Sequence, residues 1–315
     1  MRILVTADLH YDIARSRKPA QELAERVCDM HADAMVLVGD TAGADLAQLT
    51  ECLRLFGGFG GKKLMVAGNH CLWVQPSDND PALPDNKPVD ERRTTCLGPS
   101  MRRYMELLPR AAAEAGFGLL DHQPAIIRDQ AGQTMGLVGS VGWYDYSFRL
   151  DGLGVPEDFY RAKVAPGAAN YMQEHRHLVE ANRHALTEQH LEMGSRWMDG
   201  VRVRLGISDE DFVELLARKL ERQLGQIAPQ VDQVAAFIHH LPFKEMIPPD
   251  WPKRAAFAAA YMGSQAIGSV LLACPKITHV YCGHSHWSDT RTIGHLKVIN
   301  VGSTYVQKNL AVLEA

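Results

Sequence analysis

The rhythm of apolar and polar positions changes twice along this chain. In the first part, short unbroken apolar runs alternate with stretches of helical periodicity. Arg2–Ala7, Ala34–Val38 and Lys63–Ala67 read as buried strands. Pro19–Met30 reads as an amphipathic helix with Leu23, Val27 and Met30 on one face, and Ala44–Leu55 as a second helix. Strands alternating with helices at this spacing predict an α/β sheet with crossover connections. Pro76–Pro88 reads as a surface loop and Ser100–Ala115 as a helix. Pro124–Asp129 and Thr134–Gly139 read as a hairpin turning at Gln130-Ala131-Gly132.

Between about residues 144 and 232 the strand signals vanish. Met172, Val179, Leu186, Met193 and Trp197 recur at helical spacing, and Ser208-Asp-Glu-Asp211 has the form of a helix start ahead of Phe212, Leu215, Leu216, Leu220 and Leu224. This stretch is expected to be a helical, cap-like insertion. Strands return at Val234–His239, Ile277–Cys282, Leu296–Val301 and Leu310–Leu313, with a helix over roughly Phe257–Leu272. The expectation is one domain over residues 1–315, its scaffold on both sides of the insertion.

Composition narrows the function classes. At 315 residues and 46% apolar content the chain has enough material for a large buried core. The net charge of -4, with Lys and Arg scattered, supplies no basic stripe, so neither nucleic acid nor a membrane surface is expected as a partner. The six cysteines include no C-x-x-C pair and read as reduced thiols. Ile3-Leu4-Val5 is too short an apolar run for a secretory leader, and no run reaches membrane-spanning length. Together these features point to a cytoplasmic protein.

Six polar clusters stand at the ends of the expected strands. They are Asp8-Leu9-His10, Gly39-Asp40, Gly68-Asn69-His70, His239-His240, Gly283-His284-Ser285-His286 and Asn300-Val301-Gly302-Ser303. Singly, each is ordinary: a turn aspartate, a hydrogen-bonded histidine, a glycine turn. Together they would converge on the rim where α/β sheets build their sites. Imidazoles, carboxylates and one amide oxygen, with no thiolate required, suit first-row ions such as Mn, Fe, Zn or Co, with Mg possible. Two such ions about 3.5–4 Å apart need a bridging carboxylate. No G-x-S-x-G nucleophile elbow and no Walker-type phosphate loop competes for the chemistry.

In this order the clusters resemble the calcineurin-like metallophosphoesterases, whose pattern runs D-x-H, G-D, G-N-H, a strand-end H and then G-H-x-H. The resemblance covers residues 1–143 and 233–315 and leaves the helical stretch outside it. It implies an α/β/β/α sandwich of two sheets, two bound metal ions, and hydrolysis of a phosphoester by a hydroxide that bridges them. It places Asp8, His10 and His286 on one metal, Asn69, His239 and His284 on the other, and Asp40 between both. His70 would face the phosphate as a catalytic group beside Asp40. Only one of the adjacent pair His239-His240 should face the metals; H-H-x-P variants of the motif favour His239, leaving His240 to approach the substrate. Trp73, Trp143, Tyr144 and Trp287 flank the motifs, and either line the substrate or serve as core and rim aromatics. Arg102-Arg103 reads as a solvated helix face, with contact to phosphate as the alternative. The favoured substrate is a small-molecule or nucleotide phosphodiester. A monoester or phosphoprotein substrate, a nuclease and a non-catalytic scaffold are the alternatives.

Overall fold

The computed structural model describes residues 1–74, 98–129, 131–249 and 253–315. The expected loop Pro76–Pro88 and the hairpin residue Gln130 lie outside them. The strands are β1 (Arg2–Thr6), β2 (Ala34–Val38), β3 (Lys62–Val66), β4 (Gly118–Leu119), β5 (Ala125–Arg128), β6 (Thr134–Ser140), β7 (Gln233–Ile238), β8 (Ile277–Cys282), β9 (Asp289–Ile293), β10 (Leu296–Asn300) and β11 (Ala311–Glu314). They form a five-stranded sheet, β11-β1-β2-β3-β4, and a six-stranded sheet, β5-β6-β7-β8-β10-β9. β1 to β4 run parallel, as do β6, β7, β8 and β10; β11, β5 and β9 are antiparallel edges.

The unbroken apolar character of the central strands follows from this layering. Successive side chains point to opposite faces, and both faces are covered. In β2, Ala34, Val36 and Val38 pack between the sheets, while Met35 and Leu37 pack outward under helices. In β7, Ala235 and Phe237 face inward, while Val234, Ala236 and Ile238 face outward. The helices Ala14–Cys28 and Leu46–Arg54 contribute Leu23, Val27, Leu49 and Leu53 to the outward-facing core. Asp209–Ile227 and Gln265–Leu272 contribute Phe212, Leu216, Leu220, Ile267 and Leu271. The architecture is the four-layer α/β/β/α sandwich.

The helical stretch divides in two. Asp209–Ile227, capped by the Ser208 hydroxyl accepting from Asp211 N, belongs to the sandwich: Gln223 Nε2 donates to Leu120 O at 2.8 Å, behind the sheets. Before it stand only short helices, Glu157–Ala162, Pro166–Tyr171, Arg176–Ala181, Glu188–Leu191 and Asp199–Arg202. The expected stripe from Met172 to Trp197 therefore spans several turns, not one helix. The Phe257–Leu272 helix is likewise split at Tyr261–Ser264. Gly263 packs so tightly there that a Cβ would lie 1.8 Å from Leu241 O, and the Ser264 hydroxyl caps the second half.

Two polar groups in the first half proved less ordinary than their sequence. Arg103, expected on a solvated face, is buried. Its guanidinium donates to Cys71 O, Ala44 O and Gly43 O, tying together the loops that follow β2 and β3. His122 is half-buried with Nε2 donating to Tyr104 O at 3.0 Å; burial, with Lys219 nearby, lowers its pKa to about 4. The unfolded chain takes up this proton first, so the contribution of neutral His122 is complete above about pH 6.5 and is lost as pH falls toward 4. Chemical denaturation from pH 7 to 4 should show a shallower loss of stability in His122→Gln than in the parent. Parallel curves would overturn this assignment.

Candidate metal centre

The parallel strands β1, β2, β3, β7 and β8 bring their carboxyl ends to one edge of the sandwich, and each delivers a polar side chain there. Backbone bonds continue past the strands and fix the loops to each other: His10 N to Asp40 O at 2.8 Å, His239 N to Ser140 O at 3.1 Å, and Gly283 N to His239 O at 3.0 Å. Asp8, His10, Asp40, His284 and His286 all have positive φ, between 44° and 68°. Non-glycine residues rarely adopt that conformation, and its accumulation at one place is a mark of functional constraint. Motif glycines make room for the side chains. A Cβ on Gly68 would lie 2.1 Å from Asp40 Oδ1, and one on Gly39 would lie 2.2 Å from His239 Nδ1.

Asp40 stands at the centre, almost fully buried. Its Oδ1 accepts from His70 N at 2.9 Å and lies 3.4 Å from His239 Nε2. Its Oδ2 lies 3.6 Å from His10 Nε2 and 3.9 Å from His70 Nε2. On the first side, His10 Nε2 and His286 Nε2 are 3.0 Å apart, and His286 Nε2 is 3.7 Å from Asp8 Oδ1. On the second, His239 Nε2 is 3.3 Å from Asn69 Oδ1. His239 Nδ1 is engaged by Val38 O, which leaves Nε2 facing Asp40. His284 Nε2 is engaged by Tyr261 O, at the helix break, which leaves Nδ1 for the site. Two sets of donors close enough to share an ion result, Asp8/His10/His286 and Asp40/His239/His284; a third grouping joins His10, Asp40 and His70.

The electrostatics draw positive charge to Asp40. Burial raises the pKa of Asp8 and opposes ionisation of Asp40, but the imidazoles of His239 and His70 pull Asp40 well below the usual carboxylate range. Burial also opposes a charged His239, yet Asp40 outweighs it and lifts its pKa to about 9. His10 and His284 are pushed well below 6.5 by burial and so offer neutral rings. Packing imidazoles and carboxylates this densely out of water is unfavourable unless a positive charge sits among them.

No protein-family model matches the chain, and no curated protein matches it in sequence. Among solved structures, phosphopantetheinyl hydrolase from Mycobacterium tuberculosis superposes with a TM-score of 0.64 at 16% identity, covering 96% of this chain and 89% of its own. A dimetal phosphatase from Danio rerio (TM-score 0.47, 13% identity, 99% and 91% covered) and a calcineurin-like phosphoesterase from Bacillus subtilis (0.41, 11%, 99% and 90%) are more distant. The chain shares the fold of this phosphopantetheinyl hydrolase, and the order of its motifs resembles the calcineurin-like metallophosphoesterases.

Within this fold, the remaining sequence candidates fall in different places. His70 is partly exposed at the opening and stacks on Trp73, with ring centroids 3.6 Å apart. His240 is buried behind the centre, its Nδ1 on Val141 O at 2.7 Å and its ring 4.1 Å from that of His284; its Nε2 has no hydrogen-bond partner. Trp143 and Tyr144, which the sequence left as substrate-lining or core aromatics, take the second place. Both are fully buried, stacked on each other, with Trp143 Nε1 donating to Asp209 and Tyr144 OH to Asp199. Their aromatic bulk, flanked by donors that needed buried acceptors, drew them into the core. Trp287, by contrast, is 48% exposed beside His286.

Sequence reasoning missed Tyr305. Its ring lies 5.0 Å from both His10 and His286, and the Arg15 guanidinium sits 4.5 Å above it. It missed Lys308 too, which donates to Asp8 O and Thr304 O at 2.6 Å each and so braces the turn that carries Asp8. Neither belongs to a recognisable cluster, though both lie within a few residues of Asn300–Ser303.

Proposed function

We propose that this protein is a two-metal phosphoesterase acting on a phosphorylated small molecule or nucleotide, with phosphodiesters favoured. The observation that carries this reading is Asp40: one carboxylate turns one oxygen toward the His239 side and the other toward the His10 side. That is the disposition a bridging ligand requires. Asp8, His10 and His286 would hold one ion, Asn69, His239 and His284 the other. Two cations there would supply Lewis acidity, charge neutralisation and an acidified water. Mn, Fe or Zn suits the mixed imidazole and carboxylate donors, with Co or Mg as further choices.

The protein's own part is orientation and proton transfer. The buried carboxylates and imidazoles keep the floor of the site fixed and dry. His70, held by its stack on Trp73, reaches the opening and gives a proton to the leaving oxygen. Exposed Trp287 and Val306, next in sequence to His286 and Tyr305, offer apolar surface to an organic ester group. That surface and the likeness to a phosphopantetheinyl hydrolase support an ester that carries an organic group. Among the described residues, no helix is long and apolar enough to cross a membrane.

The test is hydrolysis of bis-p-nitrophenyl phosphate and p-nitrophenyl phosphate by metal-stripped protein reloaded with each of the five metals. Metal-dependent turnover with the diester faster is expected. Faster turnover of the monoester would move the assignment to a phosphatase. A protein that binds two ions and turns over neither ester, nor a phosphopantetheinyl ester, would be a scaffold.

A further inference from the structure

The most heavily hydrogen-bonded carboxylate near the centre lies outside every motif. Asp199, 1% exposed, comes from the last of the short helices that precede Asp209–Ile227. It accepts from four neutral donors: Asn69 Nδ2 at 3.0 Å, Trp73 Nε1 at 2.7 Å, Trp197 Nε1 at 2.8 Å and Tyr144 OH at 3.1 Å. Two of these belong to the site. Asn69 is a candidate ligand and Trp73 is the platform of His70.

We infer that Asp199 is a positioning residue that sets one metal position through Asn69 and holds the His70 platform in place. This rests on the two-metal reading above. The argument is one of hydrogen-bond valence. An asparagine amide has a donor end and an acceptor end, and only the acceptor binds a cation. An ionised carboxylate accepts and never donates, so Asp199 takes the Nδ2 end and leaves Oδ1 toward His239, 3.3 Å away. The negative charge behind the amide also polarises Oδ1 and makes it a better donor to a metal. Trp73, Trp197 and Tyr144 saturate the remaining lone pairs and stop the carboxylate from turning into the site. Trp197 in turn stacks on Tyr261, whose carbonyl engages His284, so the same segment reaches two of the three ligands on that side.

Asp199→Asn is nearly isosteric but replaces one acceptor oxygen by a donor that would face another N–H. Asn69 would lose its fixed orientation. The experiment is titration of metal-stripped protein with Mn by calorimetry, with circular dichroism as the check on folding. The parent should bind two ions. Asp199→Asn should bind one with parental affinity and the second 10- to 100-fold more weakly, the usual effect of an outer partner. Asn69→Ala should show the same split, and the double variant should be no worse than either. Two tight ions in Asp199→Asn, or equal weakening of both, would overturn the inference while leaving the two-metal reading intact. Fewer than two ions in the parent would overturn that reading itself. Should Asp199→Asn not fold, the side-chain amide protons of Asn69 in the parent decide. Slow solvent exchange of that pair with and without Mn is expected; exchange at the rate of a free amide would overturn the inference.

Discussion

Asp40→Asn should leave the fold intact and lower kcat/KM on the preferred ester by at least about 10³-fold, a loss of the size seen when electrostatic stabilisation is removed from an active site. The substitution keeps shape and size. Asparagine tolerates the left-handed conformation of residue 40 nearly as well as aspartate, so backbone strain does not confuse the result. What changes is valence. Oδ1 faces His239 and the His70 amide, and Oδ2 faces His10 and His70. An amide can satisfy one side only and presents N–H to the other. Elemental analysis should therefore find no more than one ion per chain. Two retained ions with undiminished turnover would remove Asp40 from the bridging role.

His70→Asn should behave differently. Metal content should stay at two ions per chain while kcat falls by about 10²- to 10⁴-fold, the range of a general acid. The loss should depend on the leaving group. An alkyl oxygen needs a proton to depart, whereas p-nitrophenolate is already a good leaving group. The variant should be crippled on alkyl esters and much less affected on p-nitrophenyl ones. His70 also lies close enough to His10 and Asp40 to share an ion with them. A drop in metal content in the variant would show it to be a ligand, and equal losses on both kinds of ester would deny it proton transfer.

The parts of this molecule legible in sequence are those where one residue type has one use. Ala34–Val38 could hardly be anything but a buried strand, and the glycine-framed clusters mark where the chain turns sharply beside Asp40 and His239. The hairpin of β5 and β6 declared itself through two apolar runs. Other features left no such trace. β9 is an edge strand of largely exposed polar residues, Asp-Thr-Arg-Thr before its single isoleucine, and carries no apolar run to betray it. The break at Tyr261–Ser264 is set by the approach of Leu241 to Gly263, a contact between segments remote in sequence. Asp199 sits in Met-Asp-Gly, which reads as any turn; its importance comes from Asn69, 130 positions earlier. For Trp143 and Tyr144 the choice between substrate wall and core stayed open, because adjacency to a motif says nothing about which way a ring points. A single side chain's partners are tertiary facts, and spacing along the chain does not encode them.

The five left-handed residues at the rim also bear on how this protein can be improved. Each disfavours the folded state by roughly 1 kcal/mol relative to glycine, so together they approach the lower bound of about 5 kcal/mol for the whole stability of a domain. Anyone selecting for heat tolerance alone, without metal in the medium, would be drawn toward glycine at positions 8, 10, 40, 284 and 286, and each gain would dismantle the centre. Under the two-metal reading, thermostabilising this chain while keeping its chemistry therefore calls for screening in the presence of the ions, where occupancy would offset the strain and the rim would no longer reward its own loss.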